Sequence, residues 1–291
     1  MYAILGAAGK IGYSTSSTLR QTAVPVRAIL RSTAKSDPLS AIGCDIAVAD
    51  LQDPNALAQA IAGANAVQVI CPPLPHIPNT AADMVRSIGS IMEALEKARP
   101  DLVLAISDYG AHVRDDIGMP TMFRYFEERL AELPMRKIFL RSAEHMEGWA
   151  ALFPVASAIS TLPSFHHPVD REFPTVSARD VGMIAADLLL RPDLEINQRV
   201  VHVEGPRRYS AADFATAFTR LLGRGVTAEA VPRAEWFETF GRVVSPSAAD
   251  LLVKLYDAHN RGGLVDVEPG GEVRYGTSDL TGALRSRLPA G

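Results

Sequence analysis

The chain has 291 residues, 47% of them hydrophobic and 21% charged, with a formal net charge of −4. That composition is globular, with room for a sizeable core in one large domain or two intergrown ones, and it excludes a strongly basic nucleic-acid binder. The cysteines Cys44 and Cys71 form no C-x-x-C pair, no apolar run reaches membrane-spanning length and a strand-like segment already starts at Tyr2, so no disulfide framework, membrane span or secretory leader is expected, and the protein is expected in the cytoplasm.

The apolar run Tyr2–Leu5 reads as a buried strand, and Lys10–Gln21 as a helix. Between them lies Gly6-Ala7-Ala8-Gly9-Lys10-Ile11-Gly12, with a glycine at every third position. Glycines between a strand and a helix let backbone N–H groups approach a pyrophosphate, and the helix N-terminus adds partial positive charge there. The spacing is G-x-x-G-x-x-G rather than the G-x-G-x-x-G of the dinucleotide fingerprint, and a tight structural turn is the competing reading. A P-loop is disfavoured, because Gly9-Lys10 is followed by Ile11 and not by Ser or Thr.

Further strands are expected at Ala23–Leu30, Asp45–Ala49, Ala66–Cys71, Asp101–Ser107 and Arg136–Ser142. Helices are expected at Asp53–Ala64, Thr80–Ala98 and Thr121–Leu133. Apolar, non-alternating strands separated by helices imply an α/β fold, a Rossmann-like doubly wound parallel sheet with its ligand at the carboxyl ends of the strands. After residue 145 the rhythm loosens: helices at Val176–Leu190 and Ser210–Gly223, strands at Arg199–Gly205 and Val226–Pro232, and helix over 233–260. The expected division is a nucleotide-binding domain over 1–145 and a smaller C-terminal region over 146–291 that partly returns to the sheet and covers the cleft.

Each strand end is then a candidate site. The second strand ends on Arg31 and Ser32, with Lys35 nearby, where an NAD site usually places an acid for the ribose hydroxyl. An arginine fork matches a phosphate, so NADP(H) is favoured over NAD(H), and the missing acid also argues against S-adenosylmethionine. Asp50 and Leu51 end the third strand, where Asp50 either accepts from an adenine amino group or serves as a loop acid. Cys71, Pro72 and Pro73 end the fourth and would form a stiff wall beside the cofactor, with Cys71 read as a packing residue rather than a nucleophile. The fifth ends on Ser107 and, after Asp108, Tyr109. Neither Tyr109 nor Tyr125 has a lysine at the fourth following position, so the Tyr-x-x-x-Lys pair of short-chain dehydrogenases is missing.

Taken in order, "GAAGKIG", "VRAILRS", "ADLQDPNALAQAIAGANAVQVICPP", "ISDYGAH", "FEERL", "RKIFLRSAEHMEGW", "SARDVGMIAADLL" and "HVEGPRRYSAADFATAFTRLLGR" resemble the NmrA-like family of atypical short-chain dehydrogenases, over nearly the whole chain. The resemblance implies a Rossmann-like domain that binds NADP(H). Some members reduce quinones, azo compounds or phenylpropanoid double bonds, and others bind the dinucleotide without known turnover and report redox state to a partner protein. It places Gly6, Gly9, Lys10 and Ile11 at the pyrophosphate, Arg31 at the 2′-phosphate, Asp50 and Leu51 at adenine, and Ser107 and Tyr109 beside the nicotinamide; Ala8 and Gly12 of the turn, and Ser32 and Lys35 beside Arg31, complete the expected cofactor contacts. Counting back from Glu128, the position where members often carry a lysine is Arg124, which can hold ribose hydroxyls but cannot exchange a proton.

No catalytic residue is assigned; the candidates are His145, just past the sixth strand, and Tyr109. His166 and His167 sit in a loop with no partners at metal-ligand spacing, and no metal is expected. Trp149, Phe153 and Phe165 either line an apolar pocket or belong to the core. The expected function is NADPH-dependent reduction of a small apolar acceptor such as a quinone. The alternative is a dinucleotide sensor with a regulatory protein partner, and a sugar-nucleotide epimerase ranks third. The expected partners are a small-molecule acceptor and a second copy in a homodimer, with no nucleic acid and no membrane.

Overall fold

A computed structural model of the chain describes residues 1–193 and 195–287. The first half alternates strand and helix: β1 (Tyr2–Leu5), α1 (Lys10–Gln21), β2 (Val26–Leu30), α2 (Asp37–Ala41), β3 (Asp45–Val48), α3 (Pro54–Ile61), β4 (Ala66–Ile70), α4 (Thr80–Ala98), β5 (Leu102–Asp108), α5 (Met119–Ala131) and β6 (Arg136–Ser142). The second half contains β7 (Glu144–His145), α6 (Phe153–Ile159), β8 (Thr161–Ser164), β9 (Thr175–Val176), α7 (Ala178–Leu190), β10 (Gln198–Glu204), α8 (Ala211–Leu222), β11 (Thr227–Ala230), α9 (Trp236–Gly241), α10 (Pro246–Arg261), β12 (Glu272–Tyr275) and α11 (Leu280–Arg285). Among the described residues no helix is long and apolar enough to cross a membrane.

The main sheet has eight strands in the order β12-β10-β6-β5-β4-β1-β2-β3, and every pairing is parallel. This is the doubly wound, Rossmann-like α/β fold. Successive strand residues point to opposite faces, and both faces are apolar because both are covered. Ile4, Leu104, Ile106 and Leu140 pack on one side with Ile11, Leu19, Val181 and Ala185 of α1 and α7. Ala3, Leu5, Val103 and Ala105 pack on the other with Leu57, Ile88 and Phe126 of α3, α4 and α5. The second half contributes β10 and β12 to this sheet, and it builds a separate cluster from Trp149, Phe173, Phe214 and Phe218.

Sequence patterning differs from the structure mainly where elements are short or polar. The stretch 233–260 is not one helix: it is a short 3-10 turn, then α9, then α10, broken where Ser245 caps α10 ahead of Pro246. The edge strand β12 carries alternating charges, Glu272 and Arg274, and gives no apolar signal. Arg199 forks onto Glu272 at 2.9 and 2.8 Å, which ties that edge to β10.

The packing of α1 on α7 is unusually close. A Cβ on Gly182 of α7 would lie 2.5 Å from the Ile11 carbonyl oxygen and 2.5 Å from the Ser14 side chain. Ser14 Oγ donates to the Arg179 carbonyl at 2.6 Å across the same contact. We predict that Gly182→Ala lowers stability by about 1–3 kcal/mol, because the crowding atom is backbone and cannot swing away. Gly89 in α4 meets nothing within 4 Å, so Gly89→Ala is expected to hold or raise stability. Thermal denaturation of the two variants checks the contrast, and equal melting shifts would contradict it.

Candidate functional site

The glycine turn is built by close approach. Gly6 has φ +68°, a conformation that favours glycine, and its carbonyl accepts from Gly9 N at 2.9 Å. A Cβ on Gly12 would lie 2.8 Å from the Ala7 Cα, so only glycine lets the first turn of α1 sit against the end of β1. Gly9 is the N-cap of α1, no side chain caps the helix, and its first turn carries no acidic residue. The N–H groups of Lys10, Ile11 and Gly12 precede the first intrahelical bond, Tyr13 N to Gly9 O at 2.8 Å. An uncapped helix terminus with a cradle that a Cβ would fill suits the pyrophosphate of a dinucleotide.

That terminus opens on a cleft of about 690 Å³ at the carboxyl ends of the central strands. Gly6, Gly9, Lys10, Ile11 and Gly12 form one wall, with Pro72 and Pro73 beside them. Ser107, Asp108, Ser142, Glu144 and His145 form the floor. Phe123, Trp149, Phe165, Leu255 and Tyr256 supply an apolar side. The volume lies in the range of small-molecule sites.

Other sequence candidates fall at adjoining strand ends, outside the cleft lining. Ala7 N reaches the Ile29 carbonyl at 3.4 Å, and Ala49 N donates to the Leu30 carbonyl at 2.9 Å, so the ends of β1, β2 and β3 lie side by side. Arg31, Ser32 and Lys35 are exposed there, next to an exposed Asp50 and a half-buried Leu51. Arg31 makes no side-chain hydrogen bond or ion pair with the described residues, whereas Asp50 Oδ1 accepts from Gln52 N at 2.8 Å. Ala8 is exposed in the turn.

Three candidates are turned away from the cleft. Tyr109 is fully buried in the sheet core, edge-on to His202, and its hydroxyl donates to Glu204 at 3.3 Å. Burial and the Glu204 carboxylate push that phenol far above its ordinary range, so it is no proton donor. Cys71 is 1% exposed and burial pushes its thiol up to about 12, which leaves it a packing residue. Arg124 donates to the Val113 carbonyl at 2.6 Å and lies 3.7 Å from Glu128.

The burial pattern also corrects the register of the "E..L" motif. Glu127 is buried and Glu128 exposed, so the motif is Glu127-x-x-Leu130 and the position reserved for lysine is Phe123, which lines the cleft. Arg124 is therefore not that position. Glu127 anchors the floor: it accepts from Ser107 Oγ at 2.6 Å and takes both arms of Arg141 at 2.9 and 2.7 Å. Arg141 also lies 3.2 Å from Glu268.

Two carboxyl groups of the floor are driven apart. Burial raises Asp108 to about 7; the Tyr109 backbone N–H opposes the shift, and Glu144 and Glu127 add to it. At Glu144 burial also acts upward, but His166, His259 and Trp149 outweigh it and hold the group below its ordinary value. Glu144 accepts from Trp149 Nε1 at 2.7 Å and pairs with His166 Nε2 at 2.9 Å. Burial and His166 pull His259 down to about 3. Burial lowers His145, with Lys10 adding and Glu147 opposing, so its ring is neutral at pH 7. His145 Nε2 lies 3.3 Å from Ser142 Oγ.

Of the aromatic candidates, Trp149 and Phe165 line the cleft, while Phe153 packs edge-on against Phe218 at 5.5 Å. His166 stacks on Phe173 at 3.6 Å, and His167 N donates to Asn260. Asp108, Phe123, Glu144, Tyr256 and His259 were not legible as site residues. The Phe123 signal was present in the motif register, and Asp108 stood beside Ser107.

Residues 6–136 match a family model described as NAD(P)H-binding. The chain is 25% identical over 258 residues to an NAD(P)H azoreductase of Xenophilus azovorans, covering 88% of this chain and 86% of the relative. The structure of an NADPH-dependent quinone oxidoreductase from Escherichia coli, complexed with NADPH, matches with a TM-score of 0.79 at 22% identity, over 98% of this chain and 99% of that one. A mutant NmrA matches with a TM-score of 0.71 at 16% identity, over 98% and 90%. These two structures share the fold.

The buried Arg141–Glu127 pair generates a stability prediction. Arg141→Met strands the Glu127 carboxylate in the core and is expected to destabilise by about 3–5 kcal/mol. Adding Glu127→Leu removes the stranded charge and should recover at least half of that loss. Urea unfolding measures both, and a double variant no more stable than the single one would contradict the account.

Proposed function

We propose that the protein is an NADPH-dependent oxidoreductase that reduces a small, flat, apolar acceptor, of the quinone or azo type. The observation that carries this reading is one cleft that joins an uncapped, glycine-lined helix terminus to an apolar side built from Phe123, Trp149, Phe165, Leu255 and Tyr256. The matches to an NAD(P)H azoreductase and a quinone oxidoreductase support it. A filled cleft would favour the sensor reading, and this cleft is open.

In this reading the turn from Gly6 to Gly12 holds the pyrophosphate, with Lys10 beside it. Arg31, helped by Ser32 and Lys35, holds the 2′-phosphate, which favours NADP(H) over NAD(H). Asp50 and Leu51 contact adenine, Pro72 and Pro73 shape the ribose side, and Ser107 and His145 border the nicotinamide. When bound, the dinucleotide supplies a hydride. The protein aligns the acceptor against the apolar side and excludes water from it. Phe123 at the position reserved for lysine puts no ammonium at that point of the cleft to polarise an acceptor oxygen, which suits acceptors that take hydride readily.

Three measurements test the assignment. Arg31→Ala is expected to weaken NADPH binding at least tenfold and to leave NADH binding within about twofold, since a phosphate–Arg contact is bidentate and charge-assisted. Gly9→Trp is expected to abolish binding of both, because the ring would fill the cradle. Fluorescence titration reads these, and equal losses of NADPH and NADH in Arg31→Ala would refute the 2′-phosphate contact. Protein-dependent loss of NADPH absorbance with a panel of quinones and azo dyes would support the reductase. Tight binding without turnover across the panel would favour the sensor.

A further inference from the structure

Reduction of a neutral two-electron acceptor by hydride also requires a proton, and the groups around the cleft can be compared as its source. The Tyr109 hydroxyl is sealed in the core and already donates to Glu204. His145 is held neutral by burial and by Lys10. The Glu144 carboxylate is held ionised by its histidine and tryptophan partners. His259 is neutral, pulled down to about 3, and burial and Glu144 push the Tyr256 phenol well above its ordinary range. Ser107 Oγ is committed to Glu127.

Asp108 differs from all of these. It is the last residue of β5, it lines the cleft between Ser107 and the floor residues Ser142 and Glu144, and it is half-buried rather than sealed. Its carboxyl makes no hydrogen bond to another side chain among the described residues, whereas Glu127, Glu144 and Glu147 each hold two or more donors. We propose that Asp108 is the proton donor of the reduction, an inference that rests on the reductase reading above.

The surroundings of Asp108 suit the role. Glu144 from β7 and Glu127 from α5 act on it with like charge, and Lys10 from α1, His145, and Tyr256 and His259 from α10 line the same cleft. Burial and the two glutamates outweigh the Tyr109 backbone N–H and bring the carboxyl to about 7, so a large fraction is protonated at neutral pH. In the proposed step the acceptor gains a hydride, which carries both electrons, and NADPH leaves as NADP⁺. The Asp108 O–H bond breaks, its proton forms a new O–H or N–H bond on the acceptor, and the resulting carboxylate is reprotonated from water. A donor must be protonated, so the rate is full below about pH 7 and falls as pH rises through it.

The test combines titration with kinetics. The side-chain carboxyl of Asp108, followed by ¹³C NMR in the cofactor-free wild-type protein and assigned through its loss in Asp108→Asn, is expected to titrate near pH 7. With a neutral quinone, wild-type kcat is expected to fall about tenfold per unit above pH 7. Asp108→Asn should lose that limb and at least tenfold of kcat at pH 6, with NADPH affinity within twofold of wild type. A cationic triphenylmethane dye needs a hydride and no proton, so its reduction should be spared in Asp108→Asn. A carboxyl that titrates near pH 4, a pH limb that persists in Asp108→Asn, or equal losses with quinone and dye would each overturn the proposal. If wild type turns over the quinone and one of these results appears, only the Asp108 assignment fails. If wild type binds NADPH and reduces no acceptor, the reductase reading fails and the assignment falls with it.

Discussion

The contact between Gly12 and the Gly6–Ala7 backbone sets where α1 begins, and the site is laid out from there. With no Cβ at either position, the helix terminus sits directly on the end of β1, and the free N–H groups of its first turn face the cleft. Helix α7 then holds α1 in place, because Gly182 lets the two helices approach until their backbones almost touch. The geometry of this helix terminus thus depends on Gly12 and Gly182, each required by a neighbour's main chain, and on Gly6, required by its left-handed backbone.

In and beneath the floor of the cleft, carboxyl groups are placed under different constraints. Glu127 is neutralised by the arginine fork of Arg141, and Glu147 is bonded to the Ser177 hydroxyl and the Ala178 N–H at the start of α7. Glu144 is fixed between an indole and an imidazole. These three are spoken for, and they fix the positions of strands and helices against one another. Asp108 lacks such partners and feels the like charges of Glu144 and Glu127, the circumstance in which a carboxyl group is raised toward neutrality.

The fold was legible because its strands are apolar on both faces and its helices are amphipathic, and both follow from a parallel sheet with two covered sides. The position of the cleft was legible for the same reason: a doubly wound sheet opens its crevice at the carboxyl ends of its strands. Side-chain direction was not legible. Tyr109 stands two residues after Ser107, yet the chain turns at the end of β5 and sends its ring into the core toward His202. The register of the "E..L" motif was misplaced by one residue among adjacent glutamates: the two-residue gap to Leu130 belongs to Glu127, and its burial agrees. The cleft's far side, Tyr256 and His259, comes from a helix more than a hundred residues downstream, and no local pattern announces it.

The β12 edge bears on how copies of the protein can meet. An open strand offers unpaired backbone groups to any passing chain, and sheet extension is the usual route from there to aggregates. Here the outermost strand is four residues long, and Glu272 on it is locked by Arg199 and Arg274 while Tyr275 stands 65% exposed. A second molecule adding a strand at that edge would have to strip water from this charged cluster. Strand addition at this edge is thereby discouraged.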